Sequence, residues 1–342
     1  MGRRGATLVV GLVVVIFLSV ASVAGVKVPY VALTPGPTWD TLGSDHNKDV
    51  IQVSGATGPS SKGQLRMVTV GVEDQLTLWD ALRGWLSGDD AVVPREVIYP
   101  PNETQQQVDQ ENAEEFKISQ NAAIESALRT LGFAVKVVLS EVVPGMPADQ
   151  GHLQKGDQLL TVDGEPVTSA QKLNTLIRAK PVGTKLAVTY LRDGTPGTTT
   201  IASVEKDGGP RIGVQIDEQQ PSPYKVTINL DNVGGPSAGL MFTLGIIDKI
   251  KPEDLTGGLA VAGTGTMDEE GNVGAIGGIP QKMRGAKRDG AAIFLAPANN
   301  CAEAVANAVP GLMLVKVDTL ATALQALETL RSGGTPALCA AK

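Results

Sequence analysis

The sequence predicts an α+β protein with three parts: an N-terminal transmembrane helix, a β-rich unit with two helices, and a C-terminal α/β unit. Three observations lead to this fold class. An uncharged apolar run covers residues 6–26, strand and helix patterns follow one another in residues 118–204, and strands alternate with helices again from Ile212 onward. A chain of 342 residues is long enough for two such folded units.

The apolar run is long enough to cross a bilayer, because a helix of about 20 residues spans a hydrocarbon core of about 30 Å. Arg3 and Arg4 precede it, which predicts a cytoplasmic tail at residues 1–5 and an extracytoplasmic remainder. The sequence therefore predicts a single-pass protein of the cell membrane that is anchored in the lipid bilayer through residues 6–26. Ser22-Val23-Ala24 leaves a second interpretation open, in which the run is a signal peptide removed by cleavage.

Composition excludes several classes of function. The net charge is −7, and no run of Lys and Arg follows the first residues, so we expect no nucleic-acid partner. The two histidines and two cysteines lack zinc-site spacing and no phosphate-binding loop occurs, so we expect no metal, no cofactor and no ATPase. In an exported protein Cys301 and Cys339 can form a disulfide; the alternative is two unpaired cysteines.

Residues 27–117 are predicted to form a membrane-proximal extracytoplasmic segment, and residues 118–204 resemble a bacterial PDZ domain. The residues that carry this resemblance are Gly145-Met146-Pro147-Ala148, Leu153–Asp157 and Val162–Val167. A PDZ domain adds an extended peptide to an open sheet edge and holds its terminal carboxylate with backbone N–H groups. The resemblance implies that Leu131, Gly132 and Phe133 form the carboxylate-binding loop; the alternative is a helix C-cap at Gly132.

The last third of the chain places a serine at the start of a predicted helix. A strand over Tyr224–Leu230 and a glycine-rich turn lead to Ser237, and helical spacing follows over 238–250. A helix start offers free backbone N–H groups and the positive end of the helix dipole, which stabilise the oxyanion of acyl transfer. Gly235 and Ala238 keep the approach open to a substrate backbone. The alternative is that Ser237 is a helix N-cap.

Gly235–Gly239 also fits the G-x-S-x-G elbow of α/β-hydrolases, which would make the chain an esterase. That triad requires a histidine after the serine, and no histidine follows His152. Another base is needed, and lysine is the leading candidate. The lysines considered are Lys249, Lys251, Lys282 and Lys287.

Two motifs in order resemble the catalytic domain of Lon proteases, peptidase family S16. They are Pro236-Ser237-Ala238-Gly239 and Gly277-Gly278-Ile279 followed by Lys282 and Ala286, with a hairpin from Thr264 between them. The resemblance implies a Lon-type proteolytic domain at 205–335 with Ser237 as nucleophile, Lys282 as general base and Thr264 as a hydrogen-bonding residue near the lysine. Gly234 departs from the family, which has an acidic residue there, and the ATPase module of Lon is absent.

Together with the predicted anchor, the two domains resemble the PDZ-containing, YlbL-like Lon-type proteases of Gram-positive bacteria. The resemblance implies an extracytoplasmic serine endopeptidase for unfolded or membrane-associated polypeptides, C-terminal peptides as PDZ ligands, and a homo-oligomeric ring. A Ser-Lys dyad requires burial to lower the lysine pKa, and the predicted walls of that pocket are Leu240, Met241, Ile276 and Ile279. The alternative is a PDZ scaffold with weak or no catalytic activity.

Overall fold

The structure, a computed structural model, describes residues 25–56, 61–231 and 233–340. Its α-helices are α1 (Leu78–Leu86), α2 (Gln105–Thr130), α3 (Pro147–Gln150), α4 (Ala170–Arg178), α5 (Gly239–Ile250), α6 (Ile279–Arg288), α7 (Cys301–Ala306) and α8 (Leu320–Arg331). Single 3₁₀ turns cover Arg95–Val97 and Ala298–Asn300.

The strands are β1 (Tyr30–Asp40), β2 (Ser44–Asp45), β3 (Lys48–Asp49), β4 (Ile51–Ser54), β5 (Gln64–Glu73), β6 (Ala91–Pro94), β7 (Lys136–Val142), β8 (Gln158–Val162), β9 (Glu165–Pro166), β10 (Lys185–Arg192), β11 (Thr195–Ala202), β12 (Val204–Lys206), β13 (Gly209–Arg211), β14 (Val214–Gln219), β15 (Lys225–Ile228), β16 (Ala260–Gly263), β17 (Thr266–Met267), β18 (Val273–Gly274), β19 (Ile293–Pro297) and β20 (Met313–Val317).

The chain divides into two compact units, and the first combines both ends of the sequence. It comprises Met1–Ala127 and Tyr224–Lys342, whereas the second comprises Leu128–Pro223. Residues 27–117, which the sequence sets apart as a membrane-proximal segment, supply β1, β5 and β6 to the main sheet of the first unit. The C-terminal α/β region is therefore completed by strands from the first hundred residues.

The main sheet of the first unit has the strand order β20-β19-β16-β5-β1-β6. Strands β5, β16, β19 and β20 are parallel, and β1 runs antiparallel to both of its neighbours. All five residues of β19 are buried, as expected for a parallel strand that is covered on both faces. Helices α5 and α6 contribute fully buried side chains such as Leu244, Ile279 and Met283 to this unit.

Strand β5 is paired with β16 along only the first part of its length. Strand β16 pairs with it from Gln64 to Met67 only. Beyond Met67, residues 68–72 have no strand partner on that side within the described parts of the chain, while β1 pairs with them on the other side. A register shift between Pro35 and Thr38 of β1 faces this stretch. The result is a free backbone edge along residues 68–72 of an inner strand of the sheet.

The second unit is built on an antiparallel sheet with the order β11-β10-β8-β7-β14, and β9 pairs with β8. Its core contains the buried side chains Val137, Leu139, Leu159, Leu186 and Val188. These residues come from alternate positions of their strands, which is the pattern of a sheet with one face on the core. Strand β14 lies at one edge of this sheet.

The structure corrects the predicted transmembrane helix. Of residues 25–56, 61–231 and 233–340, none belongs to a helix that is both long and apolar enough to span a membrane. The longest, α2, has 26 residues but is rich in Glu and Gln, and the apolar α5 has only 12, against the roughly 20 apolar residues that a span needs. Residues 6–24 of the predicted anchor lie outside the described residues. This finding contradicts the single-pass membrane localisation and the part of the fold class that rested on residues 6–26.

The two cysteines, for which the sequence left two alternatives, form a disulfide. Cys301 at the start of α7 is bonded to Cys339. The C-terminal residues around Cys339 run along β20, where Cys339 N–H donates to Leu314 O at 2.9 Å. The bond therefore fastens the end of the described chain to the start of α7.

Candidate active site

Ser237 lies two residues before the first residue of α5, and its backbone is fixed from two sides. The carbonyl oxygen of Ser237 accepts a hydrogen bond from the backbone N–H of Gly265 at 2.9 Å and another from the hydroxyl of Thr264 at 3.0 Å. The serine itself is half-buried. The N–H groups of Ser237 and Ala238 have no protein acceptor within the described residues, so both are available to a substrate oxygen.

Helix α2 holds the loop that precedes the serine. Asn112 O accepts a hydrogen bond from Gly235 N–H at 2.8 Å, and the buried Ser119 hydroxyl donates to Pro236 O at 2.9 Å. A Cβ atom on Gly234 would lie 2.9 Å from Asn112 Cβ, closer than side chains tolerate. The acidic residue of the Lon family has no room at position 234 because α2 occupies its place.

Lys282 lies in the first turn of α6 and is 4% exposed. Burial penalises the charged ammonium and lowers the pKa of Lys282 from 10.5 to about 8, although the carboxylate of Glu303 acts in the opposite direction. An amine with a pKa of about 8 is about one quarter neutral at pH 7.5, against about 0.1% for an amine at 10.5. Lys282 is therefore prepared to accept a proton near neutral pH.

Ser237 and Lys282 line one groove with a volume of about 800 Å³. Gly234, Gly235 and Ala238 line it as well, whereas Thr264 is buried behind it. The described residues include no direct hydrogen bond between Ser237 Oγ and Lys282 Nζ, and such contacts are often long until a substrate is bound. The remaining lining residues come mainly from β1, β5 and α2: Pro37, Trp39, Met67, Val68, Thr69, Val70, Gly71, Val72, Asp109, Asn112, Ala113 and Val233.

Thr264 is hydrogen-bonded to the backbone of Ser237. Its hydroxyl proton is donated to Ser237 O, and its backbone N–H is held by Leu295 O at 3.2 Å. The hydroxyl oxygen retains lone pairs that can accept from the Lys282 amine, which is the role that the resemblance implies. The structure thus links Thr264 to Ser237 through the backbone carbonyl of the serine.

None of the four residues predicted as apolar walls around the lysine lines the groove. Ile279 is fully buried in a cluster with Val68 and Met283, against which Ile276 packs. Leu240 and Met241 are fully buried, but neither lines the groove. The groove takes its apolar wall from β5 instead. The alternation of Arg66 to Val70 marks a strand in the sequence, but nothing local shows that it would face Ser237.

The residues implied for PDZ carboxylate binding lie at the end of α2. Gly132 has a φ of 94°, its N–H donates to Arg129 O, and Phe133 N–H donates to Leu128 O at 2.9 Å. This is the geometry of a helix C-cap, the alternative that the sequence left open. Phe133 O accepts from Gln220 Nε2, which places it just beyond the C-terminal end of β14.

A separate groove of about 820 Å³ lies in the second unit beside α4. Its lining residues are Gln171, Asn174, Thr175, Arg178, Ala179 and Arg211. Arg211 is the last residue of β13, and β14 begins three residues later at Val214. This groove therefore lies near the N-terminal end of β14, whereas Phe133 lies near the C-terminal end. Two arginines make it basic. In the described part of the chain no three His, Cys, Asp or Glu side chains are placed to hold a metal ion.

Comparison with family models finds two domains in the chain. Residues 231–328 match the Lon protease (S16) C-terminal proteolytic domain, and residues 106–202 match the PDZ domain. The chain therefore contains a PDZ domain and an S16 proteolytic domain, as the sequence predicted, and together these support a serine protease. Ser237, Lys282, Thr264 and Asn300 all lie inside the S16 match.

Curated relatives match parts of the chain. Lon protease 2 of Bacillus subtilis (strain 168) is 34% identical over 105 residues, which is 29% of this chain and 18% of that protein. The regulator of sigma-E protease RseP of Escherichia coli (strain K12) is 36% identical over 104 residues, 29% of this chain and 23% of that protein. The chain thus matches only about a fifth of the length of these relatives. Among solved structures, the PDZ domain of the SdrC-like protein of Listeria monocytogenes is 27% identical, covering 23% of this chain and 85% of that chain, with a TM-score of 0.22.

Proposed function

We propose that the chain is a serine endopeptidase in which Ser237 attacks the peptide bond and Lys282 is the general base. The observation that carries this proposal is the buried Lys282, whose pKa is lowered to about 8, in one groove with Ser237. A lysine whose pKa is lowered by burial is a frequent feature of catalytic sites.

The chemistry follows from the positions of the two side chains. Neutral Lys282 accepts the Ser237 hydroxyl proton while Oγ forms a bond to the carbonyl carbon of the substrate. The N–H groups of Ser237 and Ala238 donate to the resulting oxyanion. The ammonium of Lys282 then protonates the leaving amine as the C–N bond breaks, and water hydrolyses the acyl-enzyme by the same proton transfers in reverse.

The free edge of β5 supports an extended polypeptide as substrate. Residues 68–72 lack a strand partner on the groove side, so a substrate strand can pair its backbone there and present a carbonyl to Ser237. Val68, Val70 and Trp39 supply apolar walls for its side chains. A folded protein cannot enter in this form, so we infer that unfolded or loosely folded chains are cleaved.

The second unit supports peptide capture. We place the terminal carboxylate at the basic groove with Arg178 and Arg211, and the peptide backbone along the edge strand β14. The loop Leu131–Phe133 is the other candidate for this role. A homo-oligomeric ring, implied by the Lon resemblance, remains part of the proposal and is checked by light scattering of the purified chain.

The test is hydrolysis of an unfolded protein such as casein by the wild type and by Ser237→Ala, Lys282→Ala and Lys287→Ala. Lys287 lies on the same helix but is exposed and donates to Gly311 O, so its variant is the matched control. We expect both dyad variants to lose at least a thousandfold in kcat and the control to keep its activity. Equal activity of all four proteins would refute the dyad. Hydrolysis of short acyl esters without cleavage of casein would point to an esterase.

A further inference from the structure

The loop before α6 determines where the Lys282 amine lies. Gly278 is the N-cap of α6 with a φ of 71°, and Lys282 N–H donates to Gly278 O at 3.0 Å. Lys282 is therefore in the first turn of the helix, where any shift of the loop is passed directly to its side chain. Ile276, two residues before the cap, is the point at which this loop is held.

Asn300 holds both backbone groups of Ile276. Its Oδ1 accepts from Ile276 N–H at 2.9 Å, and its Nδ2 donates to Ile276 O at 2.9 Å. The side chain is 7% exposed, so both hydrogen bonds are protected from water. Only a side-chain amide offers one donor and one acceptor in this planar arrangement, and Gln would be one methylene too long.

Asn300 is itself fixed by its neighbours. It ends the 3₁₀ turn that follows β19, and the next residue, Cys301, is bonded to Cys339. Leu295 of the same strand holds the backbone N–H of Thr264, the residue whose hydroxyl holds Ser237. Strand β19 and the turn that follows it are therefore connected by hydrogen bonds to the neighbours of both Ser237 and Lys282.

We propose that Asn300 is a positioning residue for peptide hydrolysis: by clamping Ile276 it sets the place of the Lys282 amine relative to Ser237. Leu295 of β19 holds Thr264, and the Thr264 hydroxyl holds the Ser237 carbonyl. The positions of both reacting groups therefore depend on β19 and the turn after it. This inference rests on the proposed function and adds to it a residue that touches neither substrate nor nucleophile.

The charged groups around Lys282 bear on the test. Glu303 of α7 is the carboxylate that raises its pKa, and Glu303 Oε2 lies 3.4 Å from Asn300 Nδ2. Asp109 of α2 lines the same groove. The other charged side chains on α6 and on the strands packed against it lie away from the amine. Glu73, at the far end of β5, is exposed. The remaining ones have partners of their own: Asp40 with Leu42 and Leu65, Arg66 with Thr38 and Gln64, Arg284 with Asp89, Lys287 with Gly311, and Arg288 with Asp289.

The experiment compares Asn300→Ala with Asn307→Ala in the full chain with its disulfide intact. Asn300 and Asn307 flank α7 at its two ends. Asn307 donates to Glu303 O at 3.0 Å, and no hydrogen bond among the described residues joins its side chain to the Ile276 loop. The measurements are kcat and KM on an unfolded protein from pH 6 to 9.5, with thermal unfolding of each protein. For Asn300→Ala we expect kcat to fall at least tenfold and KM to stay within twofold. The acid midpoint should move to higher pH, because a loosened loop hydrates the amine. Asn307→Ala should match the wild type.

A purely structural role predicts a different result and would overturn the inference. In that case Asn300→Ala unfolds at a lower temperature, but its folded fraction keeps the wild-type kcat and acid midpoint. If Asn300→Ala does not fold, Asn300→Asp replaces it. This isosteric change keeps the acceptor for Ile276 N–H and loses the donor, and it adds a carboxylate beside Glu303, so kcat is compared at high pH, where the Lys282 amine is neutral. A kcat for Asn300→Asp within twofold of the wild type at pH 9.5 would likewise overturn the inference. Failure of the proposed function is separate, because it appears as unchanged activity in Ser237→Ala and Lys282→Ala.

Discussion

Replacing Lys282 by methionine should stabilise the protein while it abolishes catalysis. The folded state lowers the pKa of Lys282 from 10.5 to about 8. Because each pKa unit corresponds to about 1.36 kcal/mol, burying the charged amine costs about 3 kcal/mol at pH 7. Lys282 is 4% exposed, so solvent screening reduces this cost little. Methionine fills a similar volume without a charge, and the free energy of unfolding should rise by up to about 3 kcal/mol.

The pH dependence of this gain identifies its cause. Below pH 8 the lysine is protonated in both states and the whole cost is present; between pH 8 and 10.5 the folded state has lost the proton and the cost declines. We expect the difference between Lys282→Met and wild type, measured by urea unfolding, to fall from about 3 kcal/mol at pH 7 to about half that value at pH 9.5. Lys287→Met, at an exposed position, should show neither effect. A Lys282→Met protein no more stable than wild type, or a difference that does not shrink with pH, would refute the reasoning.

Three further predictions follow from the same geometry. The acid limb of kcat/KM should have a midpoint near pH 8, set by the lowered pKa of Lys282, with about tenfold loss for each unit below it; a midpoint near 6.5 in a rate profile would indicate a histidine instead. Gly234→Asp restores the acidic residue of the Lon family, yet it should reduce kcat and thermal stability, because its Cβ would lie 2.9 Å from Asn112 Cβ; activity above wild type would contradict the packing described. Replacing Cys301 and Cys339 together by serine opens a link across 38 residues and should lower the free energy of unfolding by about 2–4 kcal/mol in urea titration; an unchanged value would show that the bond contributes nothing.

The parts of the site that the sequence could identify are those with a local signature. The strings around Ser237 and Lys282 resemble a known catalytic domain, and the family match to residues 231–328 confirms that resemblance. The PDZ resemblance is confirmed in the same way by residues 106–202. Both rest on short runs of residues whose order and spacing can be read without knowledge of the fold.

The rest of the site depends on contacts between distant parts of the chain. Ser119 and Pro236 are separated by 117 residues, and β5 reaches the groove only because it joins a sheet whose other parallel strands come from the C-terminal third. No local pattern encodes such pairings, since the strand signal in 66–70 is the same whichever sheet it enters. The predicted membrane span was wrong, because no helix among the described residues is long and apolar enough to cross a bilayer.

Mass-spectrometric mapping of the covalent adduct formed with a peptidyl fluorophosphonate at pH 8 would identify the reacting serine and its base. We expect one adduct on Ser237, formed at a wild-type rate in Lys287→Met and at least a hundredfold more slowly in Lys282→Met. An adduct on another residue, or equal rates in both lysine variants, would contradict the Ser237–Lys282 dyad.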